Sequence, residues 1–177
     1  RYHGNKKATE SKVMRDVFVK GDMYFRTGDL IAANYETGYI FFVDRIGDTF
    51  RWKSENVSTT EVSETASTFP GVKEVNVVGV EVPGKDGRAC MAAMVLDVDE
   101  ASFDWSGFAA HCKNDLPSYA VPIFIRILPE VEITGTFKHR KVEVRKEGID
   151  PAKAQDPLRW LVGDTYEPFD QAALNTI

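Results

Sequence analysis

The sequence predicts an α+β fold, a short β-meander followed by a small sheet covered by two or three helices. Three observations carry that expectation. Apolar runs of strand length, cut by Gly-Asp pairs, fill the first part of the chain. Two longer apolar strands then flank Pro83-Gly84-Lys85-Asp86-Gly87, a turn by every residue in it. Helical spacing recurs further along, each time ended by Pro or Gly. The chain has 177 residues, 43% apolar and 28% charged, which suits a globular protein with a real core.

Taken in order, residues 1–11 show neither periodicity nor a helix cap, and Arg1 is not an initiator Met, so the chain reads as a piece of something longer. Strand-like runs follow at 13–19, 23–26, 30–33 and 39–43, broken by Gly21-Asp22, Gly28-Asp29 and Glu36-Thr37-Gly38. A short polar strand or hairpin starts near Asp44. Thr59-Thr60-Glu61 then lead into a helix with Val62, Ala66 and Phe69 on one stripe, which Pro70-Gly71 stops. The two long strands are expected at 72–82 and 88–96. A second helix places Trp105, Phe108, Ala109, Cys112 and Leu116 together and ends before Pro117. A strand at 123–128 and a basic helix running to about Gly148 complete the pattern. Residues 149–177, punctuated by Pro and Asp, read as an extended tail packed over the domain.

Charge and cysteine usage exclude several classes. A net charge of −5 argues against nucleic acid as a partner, because that needs a basic patch able to displace counterions. The basic run at 138–146 reads as the solvated face of a helix. The two cysteines, Cys90 between apolar neighbours and Cys112 on the apolar stripe of its helix, read as small core side chains in a reducing compartment. His3, His111 and His139 lack metal-ligand spacing, and no Gly-Lys-Ser/Thr phosphate loop occurs. No apolar run is long enough to span a bilayer, and no signal peptide is expected ahead of Arg1.

Two polar motifs carry the candidate chemistry. Arg26-Thr27-Gly28-Asp29-Leu30 lies between apolar runs, and Gly28 lets the backbone approach a ligand closely. Asp29 so placed can accept two hydrogen bonds from vicinal ribose hydroxyls; the alternative is a turn Asp bonding its own backbone. Residues 44–57 read Asp-Arg-Ile-Gly-Asp-Thr-Phe-Arg-Trp-Lys-Ser-Glu-Asn-Val, with more charge than a surface strand needs. Arg45 can offer a fork of donors to the same ribose or a phosphate; the alternative is an ion pair with Asp44 or Asp48. Lys138 follows Thr134-Gly135-Thr136, a turn that can present an ammonium to a phosphate on which negative charge collects. Otherwise it is the first cation of a basic helix.

These motifs, with Leu116-Pro117-Ser118-Tyr119 and Pro122, resemble the carboxyl-terminal part of adenylate-forming enzymes: acyl-CoA synthetases, luciferases and peptide-synthetase adenylation domains. The likeness runs from about Gly21 to about Gly148. The 44–57 segment and Thr134-Gly135-Thr136-Phe137-Lys138 look specifically like the fatty acid transport protein and very-long-chain acyl-CoA synthetase branch. The resemblance implies that 1–43 is the end of a large, truncated N-terminal adenylation domain. Residues 44–148 would be the mobile C-terminal domain, and 149–177 a tail upon it. It also implies a two-step reaction. A fatty carboxylate attacks the α-phosphate of Mg-ATP to give acyl-adenylate and pyrophosphate, and the thiol of coenzyme A then displaces AMP. The small domain rotates between steps so that a different face serves each.

Carried over by residue, the resemblance gives Asp29 and Arg45 the ribose of ATP and AMP, and Lys138 the adenylation step. It gives Trp52, Lys53, Ser54 and Glu55 the loop beside the pantetheine channel, and Gly47 the hinge. ATP and Mg²⁺ would be bound mainly by the N-terminal domain, with coenzyme A as co-substrate. The implied partners are fatty acid, coenzyme A and that domain, and the parent would be cytoplasmic or peripherally membrane-associated. Three positions depart from the pattern. Gly47 stands where much of the superfamily has Asp or Lys, and Ser54 stands where it usually has Gly. Thr136 and Phe137 intervene between the turn glycine and Lys138. The expected function is thus a long- or very-long-chain fatty acid–CoA ligase, with the fragment itself inactive. The alternatives are a fatty acyl-AMP ligase serving a carrier protein, or a fatty acid transport or binding protein.

Overall fold

A computed structural model describes residues 6–45, 49–129 and 137–177, apart from the side chains at 8, 43–45 and 137–141. The chain divides into two units, Arg1–Gly47 and Asp48–Ile177. The hinge assigned to Gly47 lies outside the described residues.

In the first unit a short helix α1 (Lys6–Lys12) precedes two hairpins. The sequence reading found no helix there. Lys and Glu are good helix formers, and Lys6 and Glu10 stand one turn apart at 4.0 Å, so local propensity suffices for these two turns. Strands β1 (Val13–Arg15) and β2 (Met23–Phe25) pair antiparallel. The expected strand at 13–19 stops at Arg15 because Asp16 turns the chain at φ 52°. The Asp22 carboxylate then accepts from the backbone N–H groups of Val17, Phe18 and Val19 at 2.7, 2.9 and 3.0 Å. These bonds, foremost that from Val19, hold the Asp22 carboxyl below the usual carboxylate range. The second hairpin joins β3 (Asp29–Ala33) to β4 (Ile40–Arg45).

The second unit is built on a five-stranded sheet in the order β11-β10-β9-β8-β7. Its strands are β7 (Val72–Val80), β8 (Ala89–Leu96), β9 (Phe124–Ile127), β10 (Leu158–Val162) and β11 (Thr165–Pro168). All neighbours are antiparallel except β8 and β9, which run parallel. A parallel pair needs a crossover, and α3 (Trp105–Asp115) supplies it. Asp104 caps α3 by accepting from the Gly107 N–H at 2.8 Å. Helix α2 (Thr59–Ser67) is capped in the same way by Ser58, which accepts from the Glu61 N–H at 3.2 Å. Helix α4 (Phe137–Glu147) lies against β7, and a single turn α5 (Gln171–Leu174) closes the chain.

Residues 149–177 do more than trail over the domain: they contribute β10 and β11 to the sheet. Tyr166 on β11 is fully buried and donates its hydroxyl to the Pro122 carbonyl at 2.7 Å. The core also takes Val62 and Ala66 from α2, Phe108 and Cys112 from α3, and Met91, Met94, Phe124 and Ile125 from the sheet. Each large side chain buried there contributes about 1.5–3 kcal/mol. Both cysteines are free and buried, as small core side chains.

Candidate functional site

The Gly28-Asp29 turn is built for a backbone conformation only glycine adopts cheaply. Gly28 has φ 84°, and the Thr27 hydroxyl accepts the Asp29 N–H at 3.2 Å, which fixes the turn where β3 begins. Across the ladder, Asp29 is the register partner of Arg45. The pairing shifts by a bulge between Leu30 and Ile31, a device that re-aims residues at a strand end. Two positions expected to share one ribose thus stand directly opposite each other on neighbouring strands. Asp29 is half-buried. The Arg45 side chain lies outside the described residues.

The Trp52–Glu55 segment belongs to the second unit. Strands β5 (Phe50–Trp52) and β6 (Glu55–Val57) form a hairpin in which Trp52 pairs with Glu55 across two turn residues. Those residues, Lys53 and Ser54, have φ 50° and 67°, as a tight two-residue hairpin turn requires. Arg51 braces the tip by donating to the Ser54 carbonyl at 3.0 Å. The base is anchored by the core: Phe50, Trp52 and Val57 are 7%, 8% and 0% exposed. Gly87 makes the anchoring possible. Arg88 donates its N–H to the Arg51 carbonyl at 2.7 Å, and a Cβ on Gly87 would collide with that same carbonyl oxygen. The outcome is a rigid finger with Lys53, Ser54 and Glu55 exposed at its tip and Trp52 turned into the core.

Lys138 is the second residue of α4, and its side chain lies outside the described residues. The far end of the same helix is well defined. Val144 is 3% exposed in the core, and Glu147 meets Arg126 of β9 at 2.6 Å. Arg126, itself 4% exposed, also donates through Nε and Nη2 to Asp156 at 2.9 and 2.7 Å. The sequence reading passed over this cluster. Its available signal was a lone Arg inside the apolar run 123–128.

The Leu116-Pro117-Ser118-Tyr119 motif has a structural part. Leu116 caps α3, and the Ala120 N–H closes a turn on the Pro117 carbonyl at 2.8 Å on the way to β9. A cavity of about 460 Å³ opens beside the last turn of α4, lined by Glu81, Arg88, Lys146 and Asp150 among others, and among the described residues none of those assigned from sequence lines it. Among the described residues, no group of three or more His, Cys, Asp and Glu could hold a metal ion, and no helix is long and apolar enough to cross a membrane.

Residues 61–138 match the family described as the AMP-binding enzyme C-terminal domain. The fold resembles o-succinylbenzoate CoA synthetase from Bacillus subtilis in complex with its acyl-adenylate intermediate. That match has a TM-score of 0.59 and 26% identity, and covers 74% of this chain and 25% of that one. Residues 61–138 thus carry an AMP-binding enzyme C-terminal domain, and the structural neighbours of the chain are adenylate-forming enzymes. Its curated relatives include fatty acid transport proteins and isopenicillin N epimerase component 1 of Hapsidospora chrysogena. It is 47% identical over 95% of its length to the very long-chain fatty acid transport protein of Cochliobolus heterostrophus. It is 46% identical over 99% to long-chain fatty acid transport protein 2 of Rattus norvegicus. The chain spans 27% and 28% of the length of those two relatives.

Proposed function

We propose that this chain is the carboxyl-terminal part of an ATP-dependent fatty acid–CoA ligase. The observation that carries the reading is the register pairing of Asp29 with Arg45 beside the glycine turn. Asp29 accepts the vicinal hydroxyls of the nucleotide ribose, and Arg45 donates to the same sugar, so the adenosine is held while its α-phosphate is attacked. The acid's carboxylate forms the new C(O)–O–P bond and pyrophosphate leaves. Lys138 places its ammonium against the charge that develops on the phosphate and carboxylate oxygens. Gly47 absorbs the backbone change as the second unit rotates. The hairpin tip of Lys53, Ser54 and Glu55 then lines the pantetheine channel, with Trp52 as its buried root. The coenzyme A thiolate attacks the acyl carbon and AMP leaves with the electron pair. Magnesium enters with ATP, and the described residues offer it no site of their own. The 1–43 segment closes a larger adenylation domain, 44–148 is the moving domain, and 149–177 completes its sheet. The chain alone is inactive, because it covers little more than a quarter of its relatives.

The test uses the full-length parent with ATP, Mg²⁺ and a panel of fatty acids, with and without coenzyme A. Fatty-acid-dependent pyrophosphate release that yields acyl-CoA is expected, and Asp29→Ala should cut it by about 10²-fold through lost positioning. Acyl-adenylate that accumulates despite coenzyme A would reassign the parent to the carrier-protein ligases. Absence of any fatty-acid-dependent release would leave a transport or binding protein instead.

A further inference from the structure

We propose that Arg126 is a positioning residue for the adenylation half-reaction, acting through helix α4 on Lys138. The inference rests on the ligase reading above. Arg126 sits mid-sheet on β9, in register with Ala93 of β8 and Leu158 of β10, where its side chain is 5% exposed. A charge buried in that place is costly unless its partners are fixed. Its two partners come from either side of the turn after α4: Glu147, the last residue of the helix, at 2.6 Å, and Asp156 at 2.7 Å. Replacing such a cluster by apolar residues is often neutral for stability, so its physical use here is geometric.

That use follows from the chain path. Lys138 is the second residue of α4 and Glu147 is its last, so both belong to one helix. The Arg126–Glu147 pair therefore anchors the C-terminal end of the helix on which the lysine lies. Val144, one turn before Glu147, is buried in the core and fixes the same end of the helix. A helix transmits such an anchor along its axis at about 1.5 Å per residue with little bending over three turns. Asp156 holds the guanidinium through Nε and Nη2, and Nη1 stands 2.6 Å from the Glu147 carboxylate as an ion pair. In the second half-reaction the domain presents its other face, and the hairpin tip, rooted on Phe50, Trp52 and Val57, does not depend on this clamp.

The experiment measures the two half-reactions separately in the full-length parent: pyrophosphate release from ATP and fatty acid, and acyl-CoA formation from supplied acyl-adenylate. Arg126→Met and Glu147→Gln should slow adenylation by about tenfold to a hundredfold and leave thioester formation within about twofold. Arg126→Lys should recover part of the loss, and Glu147→Gln combined with Lys138→Ala should be no slower than Lys138→Ala alone. Glu147→Gln keeps the Arg126–Asp156 pair, so it serves where Arg126→Met fails to fold. Equal losses in both half-reactions, no loss in either, or multiplying effects in the double variant would overturn the assignment. An adenylation rate unchanged by Lys138→Ala alone would show that the lysine reading had failed first, and the clamp with it.

Discussion

Ser54 shows how far a single residue can be read from sequence. Its departure from the usual glycine is visible there, but the reason it matters is backbone geometry: it sits at φ 67° in a two-residue hairpin turn. A non-glycine residue held there stores about 1–3 kcal/mol of strain, partly offset by the lower unfolded-state entropy of serine. Ser54→Gly should therefore stabilise the chain by about 1 kcal/mol, seen as a higher urea midpoint with an unchanged slope. A lower midpoint would mean the Arg51 brace on the Ser54 carbonyl matters more than the strain. Asp29 and Arg45 stand out in the sequence as polar positions beside apolar runs, and their register pairing across β3 and β4 is what the structure adds. Arg126 was not, because one charge in an apolar run looks like a surface residue until its two carboxylate partners, both distant in sequence, are known.

The buried acids give a pH prediction at the same scale. Burial first, and the nearby Asp115 second, push the Cys112 thiol from an ordinary 9.0 up to about 12. Burial raises Cys90 and Tyr166 as well. From about pH 9 upward the unfolded chain releases thiol protons that the folded chain keeps, so the unfolded state binds fewer protons and stability falls with rising pH. The contribution is fully present below pH 9 and is lost progressively through about 12. Urea midpoints at pH 8 and pH 10 should show the drop, and Cys90→Ala with Cys112→Ala should flatten it. A slope unchanged by both substitutions would place the loss elsewhere.

At the scale of elements, most of the fold was legible because local signals agree with tertiary need. The α2 and α3 stripes face the core as their spacing requires, and each long strand is bounded by the turn residues that predicted it. What escaped was pairing. Nothing local tells that 124–127 lies parallel to β8 or that the tail adds two strands, because register is set by long-range packing. The tail's β10 runs Leu158–Val162, with a burial pattern that grades from buried to half-buried instead of alternating. That strand is held by partners far from it: Arg159 pairs with Glu100 at 2.8 Å and stacks on Trp105 at 4.4 Å, and Lys113 of α3 reaches Asp164 at 2.7 Å. The α1 helix escaped for the opposite reason, being a product of propensity with no apolar stripe to advertise it.

At the scale of the whole molecule, the two units differ in how they satisfy their apolar surface. The second unit encloses a continuous core from Phe50 to Phe169. The first unit leaves Phe18, Ile31, Ile40, Phe41 and Phe42 exposed, at 80%, 54%, 67%, 54% and 59%. Its two-stranded sheets also leave strand edges unpaired. Isolated two-stranded sheets with apolar faces are marginal in water, and open edges template pairing with another chain. The chain in isolation should therefore self-associate through the first unit, and its mass by light scattering should rise with concentration. Ile40→Lys places a charge on β4, which opposes both apolar docking and edge pairing, so it should shift the distribution back toward monomer while leaving the second unit's thermal transition in place. A concentration-independent monomer mass for the unaltered chain would sink the idea, and would mean that these hairpins are covered from within the chain. Association abolished by Ile40→Lys would instead identify the first unit as the surface that, in the full-length parent, is expected to rest on the remainder of the protein.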